Sequence, residues 1–258
     1  MLGAITGDIV GSVYEFTDVK PEFNFPLFSP ESEFTDDTVL TVALADSILS
    51  NLDYKVKLSE YYQLYPDCSY GLRFHEWANS NNPQPYNSWG NGSAMRVSPI
   101  GWAYNDLDTV LLKAKESSQV THNHPEGIKG AQATAASIFL ARTGASKFQI
   151  KEYIQENFNY NLNFDLEELR KHYRFNESCQ QTVPQAIYTF LVSDSFEDSI
   201  RKAIYIGGDS DTLACINGSI AEAFYGGVPE EIKIEVYKRM DNWITKITNN
   251  FIEKFNTR

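Results

Sequence analysis

GGDSDT (residues 207–212) runs directly into LACINGSIAEAFY (residues 213–225), placing a glycine pair and two aspartates ahead of an apolar segment. That segment sets Ile216, Ile220 and Phe224 at helical spacing among small residues, which predicts a buried helix. What precedes it matters as much. Behind a strand, the DxDT run of Asp209, Asp211 and Thr212, near the DxDxT pattern, would belong to a phosphatase with an aspartyl nucleophile on a parallel sheet. The preceding Ala203–Ile206 is apolar enough for a short strand, but it reads better as the end of a helix begun near Ser195. No alternation of strands and helices occurs elsewhere, so the predicted class is all-α.

The plain reading of 207–212 is a bend made by two glycines, followed by an aspartate that caps a helix. The same grammar stands upstream. Thr35-Asp36-Asp37-Thr38 precedes a stripe formed by Val39, Val42, Ala43, Ile48 and Leu49, predicting a largely buried helix over Thr38–Ser50. Each cluster alone is an ordinary cap. Together they supply Asp36, Asp37, Asp209 and Asp211, plus threonine hydroxyls, at the mouths of apolar helices. Such carboxylates converging without a cation would repel one another. Oxygen-only ligands suit hard cations such as Mg²⁺, and a pair of ions ~3.5–4 Å apart can polarise a substrate oxygen and orient water.

Further helices are predicted over Glu126–Arg142 and through the tail, Pro229–Phe255, which begins with Pro and acids suited to a first turn. Thr17–Phe34, with Pro21, Pro26 and Pro30, and Asn79–Gly92 read as long loops. Gly3, Gly7 and Gly11 recur every fourth residue, a small-residue stripe that lets another helix approach closely; the G-x-G-x-x-G spacing of a dinucleotide turn is absent. On that apolar segment Asp8 reads as a buried, hydrogen-bonded acid, and Glu15 stands at its end within reach of a metal or water.

Trp89-Gly90-Asn91-Gly92-Ser93-Ala94-Met95-Arg96 is a glycine-bearing loop opening a helix, whose backbone N–H groups suit phosphate oxygens. Arg96 is placed to add charge there or to pair with a core carboxylate. His122 and His124 lack the further Cys or His of a zinc pattern. They read as a capped turn with one satisfied histidine, the other free to contact substrate.

Composition bounds the rest. The chain has 258 residues with 34 acids against 22 Lys and Arg, a formal net charge of −12 that disfavours nucleic-acid partners. Cys68, Cys179 and Cys215 are too sparse for a disulfide framework, no apolar run is long enough to span a membrane, and the N-terminus lacks a basic leader. A cytoplasmic protein of one domain over 1–258, with no membrane partner, is the expectation.

These motifs, in this order, make the chain resemble the ADP-ribosylglycohydrolase family. The likeness covers Gly3–Glu15, Thr35–Thr38, Asn91–Gly101, Thr121–Ala135, Ser178–Leu191 and Gly207–Gly226; Asp53–Asn82 and Ser146–Phe175 match nothing carried over. It implies an all-α fold with a binuclear Mg²⁺ cleft, Mn²⁺ being a possible substitute. The implied ligands are Thr35, Asp36, Asp37, Asp209, Asp211 and Thr212. Asn91, Gly92, Ser93, Met95 and His122 would contact substrate. The implied reaction is hydrolysis of the glycosidic bond between ADP-ribose and a modified protein or small molecule, with Glu15, Asp36 or Asp209 as the acid–base group. The alternatives are a non-catalytic ADP-ribose-binding or structural protein on the same fold, and a metal-dependent phosphatase.

Overall fold

Helix α1 (Leu2–Gly11) lies against α13 (Ser210–Tyr225) so closely that a Cβ on Gly7 would sit 1.9 Å from the Ala214 carbonyl oxygen. The glycine stripe read from the sequence is the surface of that contact. The close approach is reciprocal, because a Cβ on Gly218 would meet the Gly3 carbonyl at 2.2 Å. This contact brings the start of α13 beside the end of α1, and with it Asp211 beside Glu15.

The computed structural model describes residues 1–17 and 19–255; Asp18, inside the predicted Thr17–Phe34 loop, and residues 256–258 lie outside the described part. Between those two helices run α2 (Asp36–Ser50), α3 (Tyr54–Leu64), α4 (Leu72–Ala78), α5 (Gly92–Met95), α6 (Ser98–Ala103) and α7 (Leu107–Gln119). Then come α8 (Pro125–Arg142), α9 (Lys147–Phe158), α10 (Leu166–His172), α11 (Cys179–Leu191) and α12 (Phe196–Tyr205). After α13 follow α14 (Glu230–Tyr237) and α15 (Asn242–Phe255). No strand occurs among the described residues, and Gly90 and Ser178 form an isolated bridge. The fold is all-α, as expected.

Ala203–Ile206 is the end of α12 and its cap, and Ser195 Oγ caps that helix through Asp198 N. The Asp209–Thr212 stretch therefore follows a helix. The continuous tail helix divides instead at residues 238–241, because Asp241 Oδ1 accepts from Trp243 N and Ile244 N and starts α15 afresh.

The core gathers around α13, which is buried from Ser210 to Ala223 and packs against α1, α8, α11 and α12. Asn217 is fully buried there but satisfied. Its Nδ2 donates to Thr189 Oγ1 at 3.0 Å, and its Oδ1 accepts from Ser199 Oγ at 2.8 Å. Leaving such a group unpaired costs about 1–3 kcal/mol, so the network fixes the rotation of α13 between α11 and α12. That rotation decides which way Asp211 and Thr212 point. The cysteines are free, and no helix among the described residues is long and apolar enough to cross a membrane.

Candidate metal centre

Asp8 prepares the site from below. Fully buried on α1, it accepts from Thr35 N at 3.0 Å, Thr38 N at 3.1 Å and Thr35 Oγ1 at 2.6 Å. It thus serves the orphan N–H groups at the start of α2, a capping role supplied from another helix. Thr35 Oγ1 is itself a local cap, accepting from Asp37 N at 3.3 Å. Thr35 therefore holds the first turn of α2 in place, its hydroxyl donating to Asp8. Asp36 and Asp37, carried on that turn, line the cleft.

The second cluster departs from an ordinary cap. Asp209 occupies the N-cap position of α13, yet its side chain makes no capping bond. It accepts instead from Asn91 Nδ2 at 2.6 Å, across the cleft. Gly207 and Gly208 have φ of +73° and +88°, so the bend that aims Asp209 inward uses backbone conformations that glycine adopts freely. Asp211 Oδ1 accepts from Thr212 N at 2.8 Å. Thr212 Oγ1 donates to Asp37 Oδ2 at 3.2 Å, tying the two clusters together.

Glu15 follows the 3₁₀ turn Ser12–Tyr14 at the end of α1. One oxygen from each of Glu15, Asp209 and Asp211 lies within 4.8 Å of the others, a grouping able to hold a metal ion. Asp36, Asp37 and Thr212 border the same cleft outside that tight set. No ion pair joins Asp36, Asp37, Asp209, Asp211 or Glu15 to a basic side chain among the described residues.

The electrostatics follow. Burial, reinforced by neighbouring carboxylates, pushes Asp36, Asp37 and Asp211 well above the usual carboxylate range. Burial likewise raises Glu15 to about 9 and Asp209 to about 7; for Asp209 the hydrogen bonds from Asp211 and Asn91 pull the other way. Asp37 Oδ1 is buried with no hydrogen-bond partner. An orphaned oxygen, an all-oxygen donor set and uncompensated acids together fit a hard divalent cation.

The wall opposite is the loop before α5. Asn91 and Gly92 border the cleft, and a Cβ on Gly92 would stand 3.2 Å from His122 Nε2, so this loop rests against the histidine. His122 is buried and its pKa lies well below the usual histidine value, through burial and then the guanidinium of Arg96. His124 is the capping member of the pair, accepting from Glu126 N at 3.1 Å. Met95 lines the cleft, whereas Ser93 is fully buried and donates to Gly127 O at 2.8 Å, its hydroxyl outside the cleft lining. Among the described residues Arg96 has no carboxylate in an ion pair with it. Its Nη2 donates to Thr121 Oγ1 at 2.7 Å and Ser117 O at 3.1 Å, and burial lowers its pKa to about 10.

Sequence reading missed part of the lining. Glu177 borders the cleft and raises Glu15 and Asp209 by charge. Its signal was an acid just before the N-cap Ser178 of an apolar helix, the same grammar as the two clusters. Ser69, Gly71, Leu72, Arg73 and Phe74 complete the outer wall, from the Asp53–Asn82 segment that no motif covered. The whole cleft holds about 300 Å³.

A model of the ADP-ribosylglycohydrolase family matches residues 1–258. ADP-ribosylhydrolase ARH3 of Mus musculus is 29% identical, over 89% of this chain and 84% of its own length. ADP-ribosylarginine hydrolase Tri1 of Pseudomonas putida (strain GB-1) is 26% identical, over 90% of this chain and 71% of its own. A solved structure titled ADP-ribosylglycohydrolase-related protein complex superposes with a TM-score of 0.75 at 22% identity, covering 98% of this chain and 95% of that one.

Proposed function

The chain belongs to the ADP-ribosylglycohydrolase family and is a hydrolase of ADP-ribose glycosidic bonds, and on that premise we propose that it uses a pair of Mg²⁺ ions to release ADP-ribose from a modified target. The observation that carries the proposal is the convergence of Asp36 and Asp37 with Asp209 and Asp211 around one cleft, linked by Thr212 and Asp37. The family match over the full length also supports reading 1–258 as one domain. Cytoplasmic location remains part of the proposal, supported by free cysteines.

Asp36, Asp37, Asp209 and Asp211 would hold the ions, with Glu15 grouped with the latter two and the hydroxyls of Thr35 and Thr212 beside Asp37. Bound there, divalent cations would neutralise the acids and polarise the ribose hydroxyls and a water; Mn²⁺ has the same ligand preference. The protein's part is positional. Asn91 holds Asp209, Thr212 holds Asp37, and Asp8 holds the turn that carries Asp36. Such pre-set geometry turns an encounter into a near-unimolecular step. Glu15, raised to about 9 by burial and by Asp211, keeps a proton at its carboxyl until the surrounding negative charge is compensated. It is then suited to take a proton from water as the glycosidic bond breaks; Asp36 or Asp209 would assist as neighbouring charge for the oxocarbenium-like centre.

Asn91, Gly92 and His122 form the wall on which the diphosphate would rest, with Met95 beneath and Ser93 acting as support. Phe74 and Tyr86 supply ring faces for adenine at the outer end. The phosphatase reading loses its structural basis, since Asp209 follows a helix and no strand precedes it. The test is an ADP-ribose release assay with Mg²⁺ over substrates joined through arginine, serine, a nucleobase, another ADP-ribose or a small metabolite. Release from at least one linkage is expected. Release from none, with hydrolysis of p-nitrophenyl phosphate, would overturn the proposal.

A further inference from the structure

On the far side of Glu15 from the cleft lies a second pocket of about 540 Å³, lined by Glu15, Thr17, Lys20, Arg170, Lys171, Arg174, Phe175 and Gly208. Glu15 is thus a wall common to both spaces, and Gly208 adjoins Asp209. The charge here reverses that of the chain. Against a net charge of −12, this pocket brings together four cations and a single acid, Glu15.

The pocket is built. Lys20 Nζ donates to Tyr173 O at 2.8 Å and also to Arg170 O. The Arg170 guanidinium lies 3.9 Å above the Tyr205 ring and donates to Lys20 O at 3.3 Å. These two cations form a fixed floor. Arg174 and Lys171 are exposed at its edge. Arg174 has no ion pair among the described residues, and Lys171 reaches only Glu168, at 4.0 Å between side chains about two-thirds exposed, a pairing worth little. Burial, and then the charges of Arg174 and Arg170, lower the Lys20 ammonium to about 8, as expected where positive charge has no resident anion.

Position defines what the pocket would receive, given the proposed reading of the acidic cluster as the seat of bond cleavage. ADP-ribose fills the cleft between the acids and the Gly90–His122 wall. The other side of the scissile bond, the target, must leave past Glu15, which adjoins two spaces: this basic pocket and one lined by Glu15, Glu31 and Glu33, whose acids repel an acidic segment. We propose that the pocket of Lys20, Arg170, Lys171 and Arg174 is a subsite for an acidic flank of an ADP-ribosylated polypeptide. A phosphate polymer fits less well, because the rest of so acidic a surface repels an extended polyanion while a short acidic segment meets only the local field. Phe16 and Phe175 are exposed, with ring centroids 6.1 Å apart and tilted by 34°. They form an apolar lip for aliphatic stems, and the gap is too narrow for a base between them.

The experiment uses the full chain with Mg²⁺ and peptides carrying ADP-ribose through the active linkage, flanked by Asp and Glu, by Ser and Gln, or by Lys. A small ADP-ribosyl compound without polypeptide is the reference. The wild-type chain should show a KM at least about tenfold lower for the acidic than for the lysine-flanked peptide, a difference that shrinks with salt. The double variant Lys171→Glu/Arg174→Glu, altered only at exposed positions, should reverse that order while still cleaving the small compound. Equal KM for all flanks, or an order that survives the charge reversal, overturns the subsite. Stronger competition by a single-stranded oligonucleotide than by the acidic peptide overturns it in favour of a nucleic-acid partner. Failure to release ADP-ribose from anything overturns the proposed function instead; anisotropy of labelled peptides then still reads the subsite by their binding order.

Discussion

Thr212 Oγ1 donates a 3.2 Å hydrogen bond to Asp37 Oδ2, joining helix starts 175 residues apart in the chain. The second oxygen of the same carboxylate, Asp37 Oδ1, is buried without a partner. One oxygen is thereby aimed by the protein, and the other is left for something the protein does not provide. A cation is the simplest complement to such an arrangement.

Replacing either carboxylate by its amide should separate chemistry from folding. Asp37→Asn and Asp209→Asn are expected to lower ADP-ribose release on the order of 10²–10⁴-fold, typical of lost acid–base or charge-stabilising groups. Circular dichroism and melting curves in EDTA should show folded chains no less stable than wild type, since each change removes one of several crowded acids. Full activity in both variants would count against the proposed ligand set.

The acids also set the pH dependence of the metal-free chain. Their folded-state pKa values are raised, to about 7 for Asp209 and about 9 for Glu15, from ordinary values of 3.8 and 4.5. The folded state then holds more protons than the unfolded state between those limits, so stability falls as pH rises through that window. In EDTA the melting temperature should drop steadily from pH 5 to about pH 9. Saturating Mg²⁺ should flatten that slope and, by mass action, stabilise the fold by about 2.7 kcal/mol at a hundredfold excess over Kd, raising the melting temperature. A metal-free chain that becomes more stable from pH 5 to pH 9 contradicts this account.

Much of this was legible in the sequence. The helices carrying the clusters, the glycine stripe on α1 and the cap at Ser195 each follow from local pattern, and local pattern is what a sequence displays directly. The acidic clusters were legible as a candidate site only as a pair, because one capping threonine and one capping aspartate have innocent readings. Whether Asp209 caps its own helix or turns to Asn91 depends on a loop 118 residues away in the chain, beyond local spacing. Thr35 and Ser93 show the converse. Both sit in the right motif, and their hydroxyl protons go to Asp8 and Gly127, contacts that no local spacing announces. The outer wall, Ser69 to Phe74, carried no pattern, since shaping a cleft requires no periodicity, and Glu177 carried only the faint one of an acid ahead of a helix cap.

The contact between α1 and α13 should tolerate no added methyl group. Gly7→Ala would place Cβ 1.9 Å from a backbone carbonyl, and α13 cannot move without displacing Asp211. Overpacking of this kind costs about 1–3 kcal/mol or more, and metal affinity should fall with it. Gly71→Ala, where nothing lies within 4 Å, is the control for stability. Chemical denaturation of both variants checks the contrast; equal midpoints would mean that the helices can separate freely.

His122 should be neutral and carry its proton on Nε2. Arg96 Nη2 donates to Thr121 Oγ1 at 2.7 Å, which leaves the threonine proton for His122 Nδ1, also at 2.7 Å. Nε2–H would then face the Gly90–Gly92 loop as a donor to a substrate oxygen. Nitrogen-15 shifts of labelled His122 should report the Nε2–H tautomer at pH 7, and Thr121→Val should disturb it and raise KM more than it lowers kcat. A protonated ring, or the Nδ1–H tautomer in the wild type, would refute the relay.

The most direct measurement is calorimetric titration of the metal-free chain with Mn²⁺, in wild type, Asp37→Asn and Asp209→Asn. Binding of about two ions per chain is expected, with each single substitution, on either helix start, weakening or removing binding. No binding by the wild type, or binding by both variants that matches it, would contradict a shared site.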